Sequence, residues 1–383
     1  MFTRVFPVFL VLWAAVVLGA CARPAAPPTP TPTPTPVVAL PTPTPMPVVA
    51  PPTPTPTPAP AVALPTPTPT PNPWARVPGI VAPTNFGWPR EVEALNGRVR
   101  ITAKPMNIHP LSGGLAELVY ALVPPERVPS VNRAAQDPLW SNVAEVAQRS
   151  VGVGWEPEAI IAQRPEVVIA ARFDPRDLVD TLQRAGLTVV QVPQRYEVEG
   201  IFQDVLFVGY VLGEEERALA LERALRGRLQ ALTDLIPKGE RRPRVLSLFT
   251  FGGRIYAAAK GSIAGMVIEM AGGVNAAAEA GITPPGIISV ETIAALNPDV
   301  IIIPQAPEAA ERFRDQLLTE PALAAVTAIR EGRVYPVPPR FFGTLTVWNI
   351  RGAEIVAALL WPQARGKVFP PFPALPPVPA GVR

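Results

Sequence analysis

Proline placement decides where this chain can fold. Of its 383 residues 54 are proline, and they crowd toward the two ends. From residue 22 to residue 73 Thr-Pro repeats are interrupted only by short Val-Val-Ala-Leu patches. Proline fixes φ and removes the backbone donor, so this stretch can build neither helix nor sheet. The expectation is an extended polyproline II tether; its roughly fifty residues, at about 3 Å each, reach on the order of 150 Å. A floppy linker or glycosylated stalk would act the same way mechanically. The tail, residues 362–383, is again proline-rich and is expected to lie loosely on the surface. Folding is left to the body between, where the composition is ordinary for an α/β protein.

Ahead of the tether, Arg4 supplies a positive charge and Val5 to Leu18 form an almost unbroken apolar run. The run is shorter than a typical bilayer-spanning helix, so residues 1–21 read as a signal peptide. It ends Leu18-Gly19-Ala20-Cys21, which resembles a bacterial lipoprotein signal. That resemblance implies lipidation of Cys21 and an extracytoplasmic protein anchored to the cell membrane, in a periplasm or on the cell surface. The alternative is an ordinary signal peptide with a chance cysteine.

Scarcity excludes several chemistries. The chain has one cysteine and one histidine, too few for a zinc centre, an iron–sulfur cluster or a disulfide within the chain. No resident cofactor or metal is therefore expected. A net charge of +3 is small for this length and argues against a nucleic-acid partner. Ser112-Gly113-Gly114 could present backbone N–H groups to an anion, but it lacks the GK[ST] ending of a phosphate loop. No nucleophile–base pair or paired carboxylates stand out, so an enzyme is not expected.

The body alternates short β-branched runs with amphipathic segments. Val99–Ala103, Val167–Ala170, Val189–Val192, Val245–Leu248, Val300–Ile303 and Val334–Val337 read as strands. Gly114–Leu122, Asp177–Ala185, Ala264–Ala271 and Ala309–Leu318 read as helices. Between them, from about Val198 to Leu235, leucines 221, 225, 229 and 232 recur at helical spacing until Pro237-Lys238-Gly239 stops the run. The expected order is a lead-in over 74–98, an α/β lobe over 99–197, a helical spine over 198–237 and a second α/β lobe over 238–361.

Two windows echo one another across the spine. Glu158-Ala-Ile-Ile-Ala-Gln-Arg-Pro-Glu-Val-Val-Ile-Ala170 matches Glu291-Thr-Ile-Ala-Ala-Leu-Asn-Pro-Asp-Val-Ile-Ile-Ile303 in glutamate, proline and buried-strand positions, and Glu166 pairs with Asp299. Each reads as a short helix opening with glutamate and leading into a strand. Either glutamate alone could simply favour a helix start, worth roughly 0.3–1 kcal/mol. At matched points of two lobes they read as a two-point electrostatic grip on a partner.

Further stretches are Val151-Gly-Val-Gly154 before Glu158, Leu187–Val192, Glu269-Met-Ala-Gly-Gly-Val-Asn275, Ile288-Ser-Val-Glu291 and Arg330-Glu-Gly-Arg-Val-Tyr335. In this order and spacing, from Val99 to Trp361, the body resembles the iron-complex and cobalamin family of bacterial solute-binding proteins. The resemblance implies two Rossmann-like lobes joined by one long helix, the class III solute-binding fold, with ligand in the cleft between them. It also implies a monomer that meets an ABC permease and its ATPase, one glutamate per lobe pairing with permease arginines; these carry over to Glu158 and Glu291. The loop Lys104-Pro-Met-Asn-Ile-His-Pro110 departs from the family pattern, although the glutamate of the next helix is kept as Glu117.

Cleft candidates are polar or aromatic residues on loops after strands. In the first lobe these are Arg133, Trp140, Trp155, Arg172 and Tyr196; in the second, Phe251, Tyr256, Lys260, Arg340 and Phe341. Aromatic faces suit a corrin, porphyrin or catecholate, and arginines suit a carboxylate or ferric chelate. Tyr256 and Trp348 fit a core as well as a cleft. His109 could be an axial ligand to iron or cobalt, or merely a hydrogen-bonding group. The expected function is capture of a metal chelate (ferric siderophore, cobalamin or haem) and delivery to an importer. The alternative is a ligand sensor or cell-surface interaction module that uses the same fold without transport.

Overall fold

The computed structural model describes residues 72–367 apart from Pro285, all within one compact unit. Cys21, the tether up to Pro71 and the tail from Val368 lie outside the described residues.

An antiparallel hairpin precedes the first lobe: β1 (Arg90–Ala94) and β2 (Gly97–Ile101), turning at Leu95-Asn96. Val99–Ala103 is therefore not the opening strand of a parallel sheet, and the expected boundary at residue 98 cuts this hairpin. Gly97, at φ 101°, takes the left-handed backbone that brings the chain out of the turn, and this local turn chemistry outweighs the apolar run that follows it.

The first lobe runs β3 (Ile108–Pro110), α1 (Gly113–Leu122), β4 (Ser130–Asn132), α2 (Ala144–Ala147), β5 (Val151–Val153), α3 (Pro157–Ala162), β6 (Val167–Ala170), α4 (Arg176–Arg184) and β7 (Val189–Gln191). Strands β3, β6 and β7 form a parallel sheet with β6 in the middle, and β4 pairs parallel with β5. All four β6 residues are buried, as a strand covered on both faces requires. The period of two divides them. Val168 and Ala170 pack with Ile160 of α3 and Leu178, Val179 and Leu182 of α4. Val167 and Ile169 face the large core shared with α1.

Two helices follow, α5 (Val198–Leu212) and α6 (Glu215–Thr233). The uninterrupted helical run expected over 198–237 is thus broken. Gly213, at φ 69°, ends α5 in a left-handed turn that glycine adopts without steric cost. Helix α5 packs on α1 and α6. The link between lobes is α6 alone, 19 residues or about 28 Å long. Near its far end Arg228 is buried in an ion pair with Glu354 of the last helix.

The second lobe runs β8 (Arg244–Phe251), β9 (Arg254–Ala257), α7 (Ile263–Met270), β10 (Val274–Asn275), α8 (Ala276–Glu279), β11 (Ile287–Ile288), α9 (Val290–Leu296), β12 (Val300–Pro304), α10 (Pro307–Thr319), α11 (Thr327–Arg330), β13 (Val334–Val337) and α12 (Asn349–Leu360). Its sheet order is β11-β9-β8-β12-β13, with β10 also on β8. Strands β8, β12 and β13 are parallel and repeat the β3-β6-β7 arrangement. Again the middle strand divides its side chains. Ile301 and Ile303 pack with α9 and α10, while Val300 and Ile302 join the large core. That core runs through the inner faces of both lobes and along α6.

The echoed windows match in backbone conformation and in the bonds of their acids. Arg164 (φ 52°) and Asn297 (φ 42°) both take left-handed backbone at the ends of α3 and α9. Just beyond, Glu166 accepts hydrogen bonds from the Met106 and Asn107 amides before β3, and Asp299 accepts one from the Arg244 amide at the start of β8. Each carboxylate ties the middle strand to its neighbour, which explains why an acid stands at both positions.

Candidate ligand-binding cleft

A cleft of about 730 Å³ opens between the lobes, beyond the carboxyl ends of the parallel strands. Trp140, Phe173 and Tyr196 line it from the first lobe, and Phe249, Phe251 and Phe342 from the second. Ser247, Thr250, Ser262 and Gln305 supply its polar groups besides the Tyr196 phenol, and no charged side chain is among its lining residues.

Several of these rings are held from behind. Phe173 follows β6 and stacks on Tyr196 with centroids 5.5 Å apart and planes 5° from parallel. Its loop is fixed by Asp174, whose buried carboxylate accepts from the Ala171 amide at 2.6 Å; burial pushes this acid up to about 6. Across the cleft Phe249 stacks on Tyr256 at 5.1 Å and 11°. Trp140 lies against Gly343, where an added Cβ would sit 3.6 Å from the indole ring. Gln305, just after β12, accepts from the Thr250 amide and donates to the Thr250 carbonyl, both at 3.0 Å, fixing the end of β8. Phe251, at the hairpin tip beside Gly252 and Gly253, is 73% exposed.

The structure thus brings Trp140, Tyr196 and Phe251 together and leaves other candidates outside the lining. Tyr256 backs Phe249 instead of facing the cleft. Phe341 is buried in the large core, and Trp348 packs against that core. Arg340 donates to the Pro138 carbonyl at 3.2 Å and lines a neighbouring cavity of about 380 Å³ that shares Gln305 with the cleft. Arg172 is exposed, its amide bonded to Gln194 next to the Phe173–Tyr196 stack. Arg133 and Lys260 are exposed and absent from the lining. Trp155 stands in the turn between β5 and α3, three residues before Glu158, and is absent from the lining.

The axial role for His109 is excluded. Its loop is strand β3, paired in register with β6, so the imidazole is fully buried and Nδ1 lies 2.8 Å from Ser130 Oγ. Burial pulls its pKa down to about 4. Among the described residues no group of three or more His, Cys, Asp or Glu could hold a metal ion.

Phe173, Phe249, Phe342 and Gln305 escaped the sequence reading. Phe249 carried a signal: in β8 Leu246 and Leu248 enter one core, so Ser247, Phe249 and Phe251 must face the other way.

Two buried carboxylates lie where the lobes meet near the cleft. Glu117 of α1 accepts from the Asn142 amide at 2.6 Å and from the hydroxyl of Thr346 in the second lobe. Desolvation pushes its pKa up to about 7. Asp204 of α5 lies against the same second-lobe segment, Leu345–Val347, and burial raises it to about 7. Glu158 and Glu291, by contrast, are exposed in the first turns of α3 and α9. Neither makes an ion pair among the described residues. Ser289 bonds the Glu291 carboxylate and lowers its pKa.

The chain is 27% identical over 219 residues to the cobalamin-binding protein of Halobacterium salinarum (strain ATCC 29341 / DSM 671 / R1), covering 55% of this chain and 57% of that one. It therefore spans a little over half the length of that relative. It is 25% identical over 281 residues to the uncharacterized ABC transporter substrate-binding lipoprotein YvrC of Bacillus subtilis (strain 168), 71% of this chain and 85% of the relative. Among solved structures, a periplasmic heme-binding protein from Pseudomonas aeruginosa matches with a TM-score of 0.58 and 27% identity, over 67% of this chain and 93% of that one. No helix among the described residues is long and apolar enough to cross a membrane. Residues 111–341 match the periplasmic binding protein model, and with its two α/β lobes, single linking helix and interlobe cleft the chain belongs to that extracytoplasmic solute-binding family.

Proposed function

We propose that this protein captures a planar metal complex of the tetrapyrrole class, a corrinoid such as cobalamin first, and delivers it to an ABC import permease with its ATPase. The observation that carries this reading is the cleft: six aromatic rings from two lobes, with no charged side chain among the lining residues. Flat aromatic faces gain most from a flat ligand that covers them. A bare metal ion would require imidazole or carboxylate ligands. Ferric catecholates carry negative charge that calls for arginine or lysine inside the site. A corrin with amide side chains meets apolar walls and a few hydroxyl and amide groups without burying an unpaired charge.

The relative described as a cobalamin-binding protein supports this choice, and the one described as an ABC substrate-binding lipoprotein supports delivery to a permease and anchoring through Cys21. Glu158 and Glu291 serve as the docking charges, one per lobe. Haem is the second reading, favoured by Arg172 beside the Phe173–Tyr196 stack, where it could meet a propionate. Equilibrium dialysis of the purified protein against hydroxocobalamin, haemin and ferrichrome tests the choice. Submicromolar retention of hydroxocobalamin is expected. Preferential retention of haemin moves the assignment to haem, and retention of ferrichrome alone refutes the tetrapyrrole class.

A further inference from the structure

The cavity of about 380 Å³ beside the cleft is built by the same three segments of chain as the cleft itself. Along each segment the lining passes from one to the other: between Leu139 and Trp140, between Ala306 and Pro307, and between Arg340 and Phe342. Gln305 lines both, so an arm of a ligand seated in the cleft can reach this annex. Five prolines wall it, rigid surfaces with little freedom to lose on binding. Its chemistry differs from that of the uncharged cleft, for Glu311 and Arg340 both line it. Glu311 is already paired with Arg314 at 2.6 Å. Arg340 has no carboxylate partner among the described residues. Its guanidinium donates to the Pro138 carbonyl at 3.2 Å and lies 5.2 Å from the centre of the Phe341 ring, while its buried Nε has no hydrogen-bond partner. Glu117 feels this charge, but its oxygens are bonded to Asn142 and Thr346. Pro307 opens α10, whose first turn has no side-chain cap, and Glu308 of that turn lines neither cavity. A cation with a spare donor and the positive end of a 13-residue helix therefore flank one small hollow next to the ligand.

We propose that the annex is a subsite for an anionic side arm of the planar ligand, with Arg340 pairing with the charge of that arm. For a corrinoid the arm is the nucleotide tail and the charge is its phosphodiester. This inference rests on the tetrapyrrole reading given above. The division of labour follows from desolvation. The uncharged aromatic cleft takes the macrocycle, and the one charge the ligand carries on an arm is met by a guanidinium outside that lining. Arg340 then sets specificity, favouring a complete corrinoid over one without its tail. A porphyrin propionate offers the same anionic chemistry on a shorter arm.

The test titrates the full chain and its Arg340→Met and Arg340→Lys variants with hydroxocobalamin and with cobinamide, which lacks the phosphodiester and nucleotide. Arg340→Met is expected to weaken hydroxocobalamin binding about 20-fold, the loss typical of a hydrogen bond to a charged group, and to leave cobinamide within twofold. Arg340→Lys keeps the charge and should recover part of the loss. The Arg340 carbonyl is held separately by the Asn142 side chain at 3.3 Å, so the loop keeps an anchor in both variants. Equal weakening of both ligands would make Arg340 a strut between the lobes and overturn the subsite. Hydroxocobalamin binding within twofold of wild type in Arg340→Met would overturn it too. If the wild type binds haemin and neither corrinoid, the same comparison is made between haemin and its dimethyl ester. Selective loss of haemin by Arg340→Met then supports the subsite, and any other result refutes it. If the wild type binds none of the four ligands, the tetrapyrrole reading falls and the subsite falls with it.

Discussion

Phe173→Ala tests the aromatic platform with the least risk to the fold. Phe173 is 63% exposed, so truncation leaves the core intact. A phenylalanine offers about 200 Å², of which roughly 125 Å² is open to solvent here. A flat ligand on one ring face covers about half of that, and ~60 Å² at 25 cal/mol per Å² is worth about 1.5 kcal/mol. Because Tyr196 holds the ring parallel at 5.5 Å, little side-chain freedom remains to be lost on binding. The expected result is a Kd for hydroxocobalamin raised about tenfold by isothermal titration calorimetry, with an unchanged thermal midpoint. Binding within twofold of wild type, in a protein of wild-type stability, would refute the stacking argument.

Three further expectations concern stability. Arg228→Met removes the buried partner of the Glu354 carboxylate, leaving it with the more exposed Arg351 at 2.8 Å, and should cost about 3–5 kcal/mol in urea unfolding. Gly209→Ala should cost about 1–3 kcal/mol, because a Cβ there would lie 2.3 Å from that of Ala218 and force α5 off α6. Glu117 has a folded pKa of about 7, above its unfolded value. The folded state therefore holds the extra proton, and the stability Glu117 contributes is present at low pH and lost as pH rises through 7. Between pH 5 and 7 wild type should lose up to about 1.4 kcal/mol per pH unit relative to Glu117→Gln. His109, lowered to about 4, acts with the opposite sign below pH 6.5, and Asp174 and Asp204 act with the same sign as Glu117. The difference between the two curves, rather than either alone, is the quantity to measure.

Much of the scaffold was legible because buried parallel strands are continuous apolar runs bounded by helix breakers. Val167–Ala170 and Val334–Val337 coincide with the observed strands, and the echo around Glu158 and Glu291 reports a real repetition of sheet order and backbone conformation. Strand β3 was not legible, since three residues carry too little pattern to outweigh Pro105 just before them and Pro110 at their end. The break at Gly213 was hidden because leucine spacing continues on its far side. Cleft residues were legible only in part, because loop geometry decides where a ring points. Trp140 and Tyr196 reach the cleft; Trp155, in an equally plausible loop, does not. Long cationic side chains such as Arg133 and Lys260 gain more from solvent than from an apolar cleft, so candidacy by charge failed there.

The central claim, that the interlobe cleft binds a corrinoid, is tested most directly by tryptophan fluorescence. Titration with hydroxocobalamin should quench emission saturably at one ligand per chain, and Trp140→Phe should remove a distinct share of that quenching because its indole lines the cleft. A linear, unsaturable decrease from folded protein would contradict the account.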